Sequence, residues 1–439
     1  MDYLQDIKNA SDDPKQMEAL YQDVLESGEN SIFQSSLIAA YEQMPENVLL
    51  AAWYYRLQQV VPSDVKEKKD GVNWKLAIPL SIISGLIFWL ITDTNGPLFL
   101  DHLPYLVMFW APIATIFTVA FLSGTAKRHY QRAGLTVVGL ILVGLYVFLI
   151  SPGLTGKYQD RYLDLMAIHL PLAAWVTLGI SVLGLRSTYQ DRFAFLIKSI
   201  ETMITAGLYL IFGAVLGGIT FGMFAALNVT IPDLWMRLVI AGGYGLLPTL
   251  AVATIYDPIV APSAQDFTQG LSKFIATMMR LLLPLTLAVL VVYVFVIPFN
   301  FMEPFKQREV LIVYNLMLFG IMGLLLGATP IRPKELSPEM QKWLRSGILA
   351  VAILAALISI YAMSATVYRT VQWGITVNRL TVIGWNTINI GILAGLIIKQ
   401  FKAGAEKWVE SLQQVFSFGT NFYFAWGLFL IVAMPLIFR

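Results

Sequence analysis

From Trp74 onward the chain is a succession of apolar runs, each close to the roughly 20 residues that an α-helix needs to cross a hydrocarbon core of ~30 Å. Eleven such runs can be read, at about 74–92, 104–123, 133–150, 164–185, 199–227, 235–256, 272–297, 309–328, 346–366, 379–398 and 419–438. The fifth and seventh are long and must tilt or protrude. Before Trp74 the pattern changes. Asp12-Asp13-Pro14 is a helix start, with a capping carboxylate followed by Pro at the first helical position. Met17, Leu20, Tyr21, Val24 and Leu25 then recur at helical spacing until Gly28. A second helix opens at Asn30 and Ser31 and a third at Pro45. The predicted fold is all-α: a polytopic transmembrane bundle (residues 71–439) preceded by an acidic soluble head of three or four short amphipathic helices and a charged linker (residues 1–70).

Pro79, Pro112, Pro171, Pro248, Pro284, Pro298 and Pro435 fall inside or at the edge of runs and predict kinks. Glycines recur at four-residue spacing at Gly213 and Gly217, Gly218 and Gly222, Gly323 and Gly327, and Gly391 and Gly395. Such pairs let helices approach closely in lipid, and ordinary bundle packing is the expectation for all four.

Composition strengthens this reading. The 439 residues are 57% hydrophobic and only 13% charged, against about 25% charged in soluble domains. That excludes a soluble enzyme, a nucleic-acid binder and a disordered tail protein. The net charge is +2, but residues 1–60 hold ten acidic and three basic side chains, so the membrane body is net basic. Basic loops on such a body suit anionic lipid headgroups. With no Cys there is no disulfide or thiol chemistry. The hydrophilic start lacks a signal-peptide pattern, so the first span is expected to direct insertion.

Lys and Arg in short loops set the orientation. With the head cytoplasmic, the inner loops and linker carry 18 basic residues and the outer side carries 8. The expected topology is N-terminus in and C-terminus out. Arg186–Lys198 and Phe401–Phe418 mix aromatic, Leu and charged residues, and read as helices lying in the interface plane.

Near the C-terminus runs Gly374-Ile375-Thr376-Val377-Asn378-Arg379, a turn entering an apolar helix that continues through Leu380 and Thr381 to Trp385 and Asn386. This Gly-x-Thr-x-Asn-Arg pattern, after many other spans, resembles bacterial multi-pass membrane proteins of the domain of unknown function 4153 family. The resemblance covers most of the membrane body and not the head. It implies a bacterial inner-membrane setting, and it brings no catalytic residues. The short outer loops argue against a separate outer catalytic domain.

Polar side chains inside spans are the candidates for activity, because each is costly at depth. Arg280 lies about eight residues into the seventh run, with Pro284 freeing its carbonyl. The pair could hold an anionic group, or Arg280 could snorkel or pair with Asp257 or Glu201. In the tenth run Arg379, Asn386 and Asn389 share one helix face. They could line a solute path or bond to a neighbouring helix, and interhelical glue is the stronger expectation. Asp93, Asp101 and His102 in the first outer loop, and His169 beside Pro171, read as loop and packing residues. No zinc spacing and no phosphate-cradling loop is present, and no cofactor is expected. The functional expectation is a transporter or permease-like protein for a small or anionic solute, more readily a non-enzyme than an enzyme. Its alternative is a scaffold or sensor whose head binds a cytoplasmic protein partner. A membrane-embedded transferase for a lipid-linked substrate comes third. The lipid bilayer is the expected partner throughout, with no nucleic acid.

Overall fold

The computed structural model describes residues 3–27, 30–59, 72–92, 98–268, 270–332, 336–404 and 406–438. Gly28, the linker and Asp93 lie outside the described residues, as do Lys334 and Arg439, two of the basic residues counted for orientation. Two compact units result, Met1–Gly71 and Val72–Arg439.

The first unit holds α1 (Leu4–Asn9), α2 (Pro14–Ser27), α3 (Asn30–Gln43) and α4 (Val48–Gln59). As expected, the Asp13 carboxylate caps α2, accepting the backbone N–H of Lys15 at 2.9 Å and of Gln16 at 3.3 Å. The fourth helix starts at Val48 and not at Pro45. Asn47 supplies the cap, its Oδ1 accepting the Leu50 N–H at 3.0 Å, while Pro45 sits in the preceding turn. Ile7, Met17, Phe33, Leu37, Leu50 and Trp53 form the core, and the Arg56 guanidinium covers Trp53 at 4.6 Å.

In the second unit, α5 (Trp74–Ile91), α6 (Tyr105–Ala126), α7 (Tyr130–Ile150), α8 (Lys157–Leu183) and α9 (Tyr189–Ala226) are followed by α10 (Asp233–Arg237), a π-turn and α11 (Gly243–Ile255). Then come α12 (Gly270–Val296), the short α13 (Glu303–Lys306), α14 (Arg308–Ala328), α15 (Pro338–Trp373), α16 (Val377–Lys402), α17 (Trp408–Val432) and the short α18 (Met434–Ile437). With α10, the π-turn and α11 as one, eleven helices among the described residues are long and apolar enough to cross a membrane. This is the helix content of a multi-pass membrane protein.

The spans alternate in direction, so their connections gather at two ends. At the near end, where α5 begins, Arg128 donates to the Ile259 carbonyl at 2.8 Å, and Arg345 to those of Gln400 and Ala403 at 2.7 and 2.8 Å. At the far end Arg369 donates to the Lys306 carbonyl at 2.8 Å, and the Tyr162 hydroxyl to that of Ile431 at 2.8 Å.

Neither predicted interface-plane helix exists as a separate element. Residues 189–198 are the first turns of the 38-residue α9, with Phe193, Ala194, Phe195 and Leu196 buried. Residues 401–418 are divided between the end of α16 and the start of α17, where Trp408, Leu412 and Phe416 are buried. Their charges face loops and neighbouring helices, which a single-helix pattern cannot distinguish from a lipid interface.

The glycine pairs pack less than expected. A Cβ on Gly327 would meet Met279 at 2.9 Å and one on Gly395 would meet Val415 at 3.3 Å, while Gly213, Gly218, Gly222, Gly323 and Gly391 face open space. The close crossing lies elsewhere, between α5 and α11. There a Cβ on Gly85 would sit 2.6 Å from the Gly242 carbonyl oxygen, and one on Gly245 would sit 2.7 Å from the Gly85 Cα.

Candidate functional site

A cavity of about 1400 Å³ runs through the membrane unit, walled by α6, α8, α9, α11 and α14–α17. Ordinary small-molecule sites hold about 300–1,000 Å³. Helix α8 presents one continuous face to it, including Lys157, Arg161, Ile168, His169, Leu172 and Val182, a repeat that follows from 3.6 residues per turn. Most of the wall is aliphatic or aromatic.

The wall is open at one side. Ile168 of α8, Met203 of α9 and Ile312 of α14 all line the cavity, yet they are 63%, 71% and 52% exposed. Above Met203 α9 packs on α11, with Tyr209 donating to Thr254 Oγ1 at 3.1 Å, and from Leu208 to Leu227 nearly every side chain is exposed. The gap between α8 and α14 therefore meets the apolar surroundings of the bundle.

At the far end the rim is cationic. Lys157 and Arg161 come from the first turns of α8, Arg308 from the start of α14, Arg369 from the last turns of α15 and Arg379 from the first turn of α16. The Gly-x-Thr-x-Asn-Arg segment places the last of these. Gly374 has φ +76°, a left-handed conformation that turns the chain without a Cβ clash. Thr376 then caps α16 by accepting the Arg379 N–H at 3.3 Å, and the Arg379 guanidinium donates to the Gly374 carbonyl at 2.6 Å. Arg369 and Arg379 share the Trp373 ring, at 5.1 and 5.9 Å.

Among the described residues no carboxylate neutralises this rim, since none of the five cations has a carboxylate partner within salt-bridge distance. Arg369 and Arg308 stand close enough to Arg379 to repel it. Asp164 is the one carboxylate on the cavity wall, and its Oδ1 lies 2.9 Å from His102 Nε2. The placement also opposes the helix dipoles, since Lys157, Arg308 and Arg379 sit in the first turns of their helices, where positive charge is already concentrated. An anion at this rim would be held by guanidinium forks and helix N-termini together.

Deeper in, the wall carries isolated polar groups. The Asn386 amide donates to Asn315 Oδ1 at 2.9 Å. The Tyr423 hydroxyl donates to Asn389 Oδ1. His169 donates through Nδ1 to the Leu165 carbonyl at 2.7 Å and accepts from the Trp385 indole at 3.3 Å. Asn315, His169, Trp385 and Tyr423 line the cavity, whereas Asn386 and Asn389 lie one layer behind it at 1% exposure.

At the near end Lys198 faces the cavity, where no other cation lines this half. Its ammonium donates to Glu201 Oε2 at 2.8 Å, to the Asp266 carbonyl at 2.8 Å and to Ser272 Oγ at 3.2 Å. Ser272 also donates to Glu201 Oε2 at 2.6 Å. Lys198 and Glu201 are 5% and 4% exposed. Tyr256, at the end of α11, also lines this end.

The sequence-derived candidates thus separate. Arg379 is on the rim, and Asn386 and Asn389 brace the wall. Glu201 is engaged by Lys198, only three residues before it. Asp257 is outside the cavity, where its Oδ1 accepts the Ile259 N–H at 2.9 Å and its carbonyl accepts the Gln265 amide at 2.7 Å. Arg280 is half-buried on α12, also away from the cavity wall. His102 bridges Asp160, at 3.4 Å, and Asp164, which a reading of its own loop did not reveal. Sequence reasoning missed Lys157, Arg161, Arg308, Arg369 and Lys198 as site residues, using them only to count loop charge. For Lys157 and Arg308 the available signal was a cation at the first position of a span, against the dipole; Arg161, Arg369 and Lys198 offered none. Among the described residues no group of three His, Cys, Asp or Glu side chains is arranged to hold a metal. Compared with known proteins, the chain matches no family model, no curated protein and no solved structure.

Proposed function

We propose that this multi-pass membrane protein takes an anionic amphiphile from the bilayer, seating its apolar chain in the cavity and its phosphate-class head on the arginine rim. This narrows the anionic-solute expectation to a ligand that lives in lipid. The observation that carries it is the coincidence of a largely apolar, side-open cavity with five cations at one mouth that have no carboxylate partner among the described residues. A path for a water-soluble anion gains nothing from an apolar wall, because each step would strip water from the charge without replacing it. An amphiphile keeps its chain in apolar surroundings while its head exchanges water for guanidinium hydrogen bonds. With the near end at the cytoplasm, as the Lys and Arg bias expects, the rim serves the outer leaflet of a bacterial inner membrane.

The test is lipid retention by the purified full chain, measured by native mass spectrometry. Dioleoyl phosphatidic acid is compared with dioleoylglycerol, which has the same chains and no phosphate. Selective retention of phosphatidic acid, lost in an Arg308→Gln, Arg369→Gln, Arg379→Gln triple variant, supports the reading. Equal retention of both lipids overturns it. Displacement of phosphatidic acid by inorganic phosphate at low concentration would point to a soluble anion as the true ligand.

A further inference from the structure

We infer that the cavity conveys the anionic head between leaflets, with Lys198 as a second head-binding station at the near end. This inference rests on the proposed amphiphile reading and goes beyond it, from holding a lipid to transferring one.

The first observation is length. The cavity-lining face of α8 runs from Lys157 to Val182, about 37 Å at 1.5 Å per residue. That exceeds the ~30 Å of the whole hydrocarbon core. A lipid seated from one leaflet reaches only about half that depth, so a site built to hold it would end near mid-membrane.

The second observation is the spacing of polar groups between the two ends. Asn315 lies seven residues below Arg308 on α14, and His169 eight below Arg161 on α8, which puts both about 10–12 Å from the rim. Trp385 and Tyr423 join them, and further down Ser199, which accepts from the Trp175 indole at 3.0 Å, and Thr202 reach the wall. Each is hydrogen-bonded within the wall, yet each also lines the cavity, where acyl chains alone would offer its remaining polar capacity nothing. A head crossing the membrane needs hydrogen-bonding partners at successive depths, with its chains trailing through the open side.

The third observation is Lys198. It is held in place by three acceptors, one of them the Glu201 carboxylate. A lipid phosphate arriving from the cavity carries the same charge type as that carboxylate and can take its place on the ammonium. Glu201 keeps the Ser272 hydroxyl, and the loss of its own pairing with Lys198 makes this occupancy short-lived, as a transfer station requires. Cations then stand at both ends of one side-open passage, with weaker polar partners between them.

The experiment is dithionite quenching of headgroup-adjacent, acyl-labelled NBD phosphatidic acid in phosphatidylcholine vesicles containing the full chain. Retention by native mass spectrometry is measured on the same preparations. The wild-type protein is expected to expose inner-leaflet label to the quencher. Lys198→Gln with Glu201→Gln, which removes both charges and keeps both side chains polar, is expected to retain lipid at the rim. Its transfer should be about 10-fold slower, the worth of one charge-assisted hydrogen bond. Should that variant fail to fold, Asn315→Leu with Asn386→Leu removes a mid-depth pair and is expected to slow transfer with retention intact. Selective retention without wild-type transfer overturns the inference and leaves the amphiphile reading standing. Undiminished transfer in both double variants also overturns it. Loss of retention and transfer in the wild type removes both.

Discussion

Replacing Arg308 with Gln should change lipid retention and ligand-free stability in opposite directions. Arg308 is the first residue of α14, is exposed, and faces Arg379 without a carboxylate partner among the described residues. Removing a cation from a helix N-terminus relieves a dipole penalty of about 0.3–1 kcal/mol at low ionic strength. It also relieves some repulsion at the rim, which solvent screens to a few tenths of a kcal/mol. The ligand-free variant should therefore be slightly more stable, on the order of 0.5 kcal/mol, when unfolded thermally in neutral detergent at low salt. In the lipid-bound protein the same change removes a charge-assisted hydrogen bond to phosphate worth about 1.5–3 kcal/mol. That weakens phosphatidic acid binding roughly 10- to 150-fold. The assay is a melting series with and without phosphatidic acid at two salt concentrations. The wild type should gain more from lipid than the variant does, and the ligand-free difference should shrink as salt rises. A variant that is less stable without lipid, or that gains as much from lipid as the wild type, would refute the reasoning.

Other substitutions test neighbouring parts of the account. A Cβ at Gly384 would run into the Trp426 ring, so Gly384→Ala should destabilise the membrane unit by about 1–3 kcal/mol through overpacking, visible as a lower melting temperature. Lys198→Met leaves Glu201 buried and unpaired and should cost about 3–5 kcal/mol, whereas Lys198→Met with Glu201→Met should be close to neutral; chemical denaturation of the two variants separates the cases. Deleting residues 1–71 should leave selective phosphatidic acid retention by the remaining unit within about twofold of the full chain. A large loss would favour the alternative in which the head does the work.

The eleven spans were legible because each is a local property: enough consecutive apolar residues to cross the bilayer. Asp13 was legible for the same reason, since a cap acts within three residues. Pro45 misled because both it and Asn47 are helix-start residues, and the choice fell to the Asn47 side chain, which also reaches Asp12 at 3.1 Å. The rim was hidden. Its five cations come from four helices spread over 223 positions of the chain, from Lys157 to Arg379, and only packing brings them to one mouth. Arg280 drew notice as a charge at depth, yet depth on one helix does not say which way that helix faces. Lys198 fell in a stretch whose charge pattern suited a membrane interface, and its engagement by the distant Asp266 and Ser272 could not be read from that stretch.

The account's central claim is that a phosphate-headed lipid occupies the cavity of this protein. The most direct measurement is electron cryomicroscopy of the full chain in nanodiscs containing phosphatidic acid. The account predicts a phosphate within about 3 Å of the Arg308, Arg369 and Arg379 guanidiniums, with its acyl density continuing inside the wall formed by α8 and α14. Lipid found only around the outer perimeter, with water or collapsed side chains in the cavity, would contradict it.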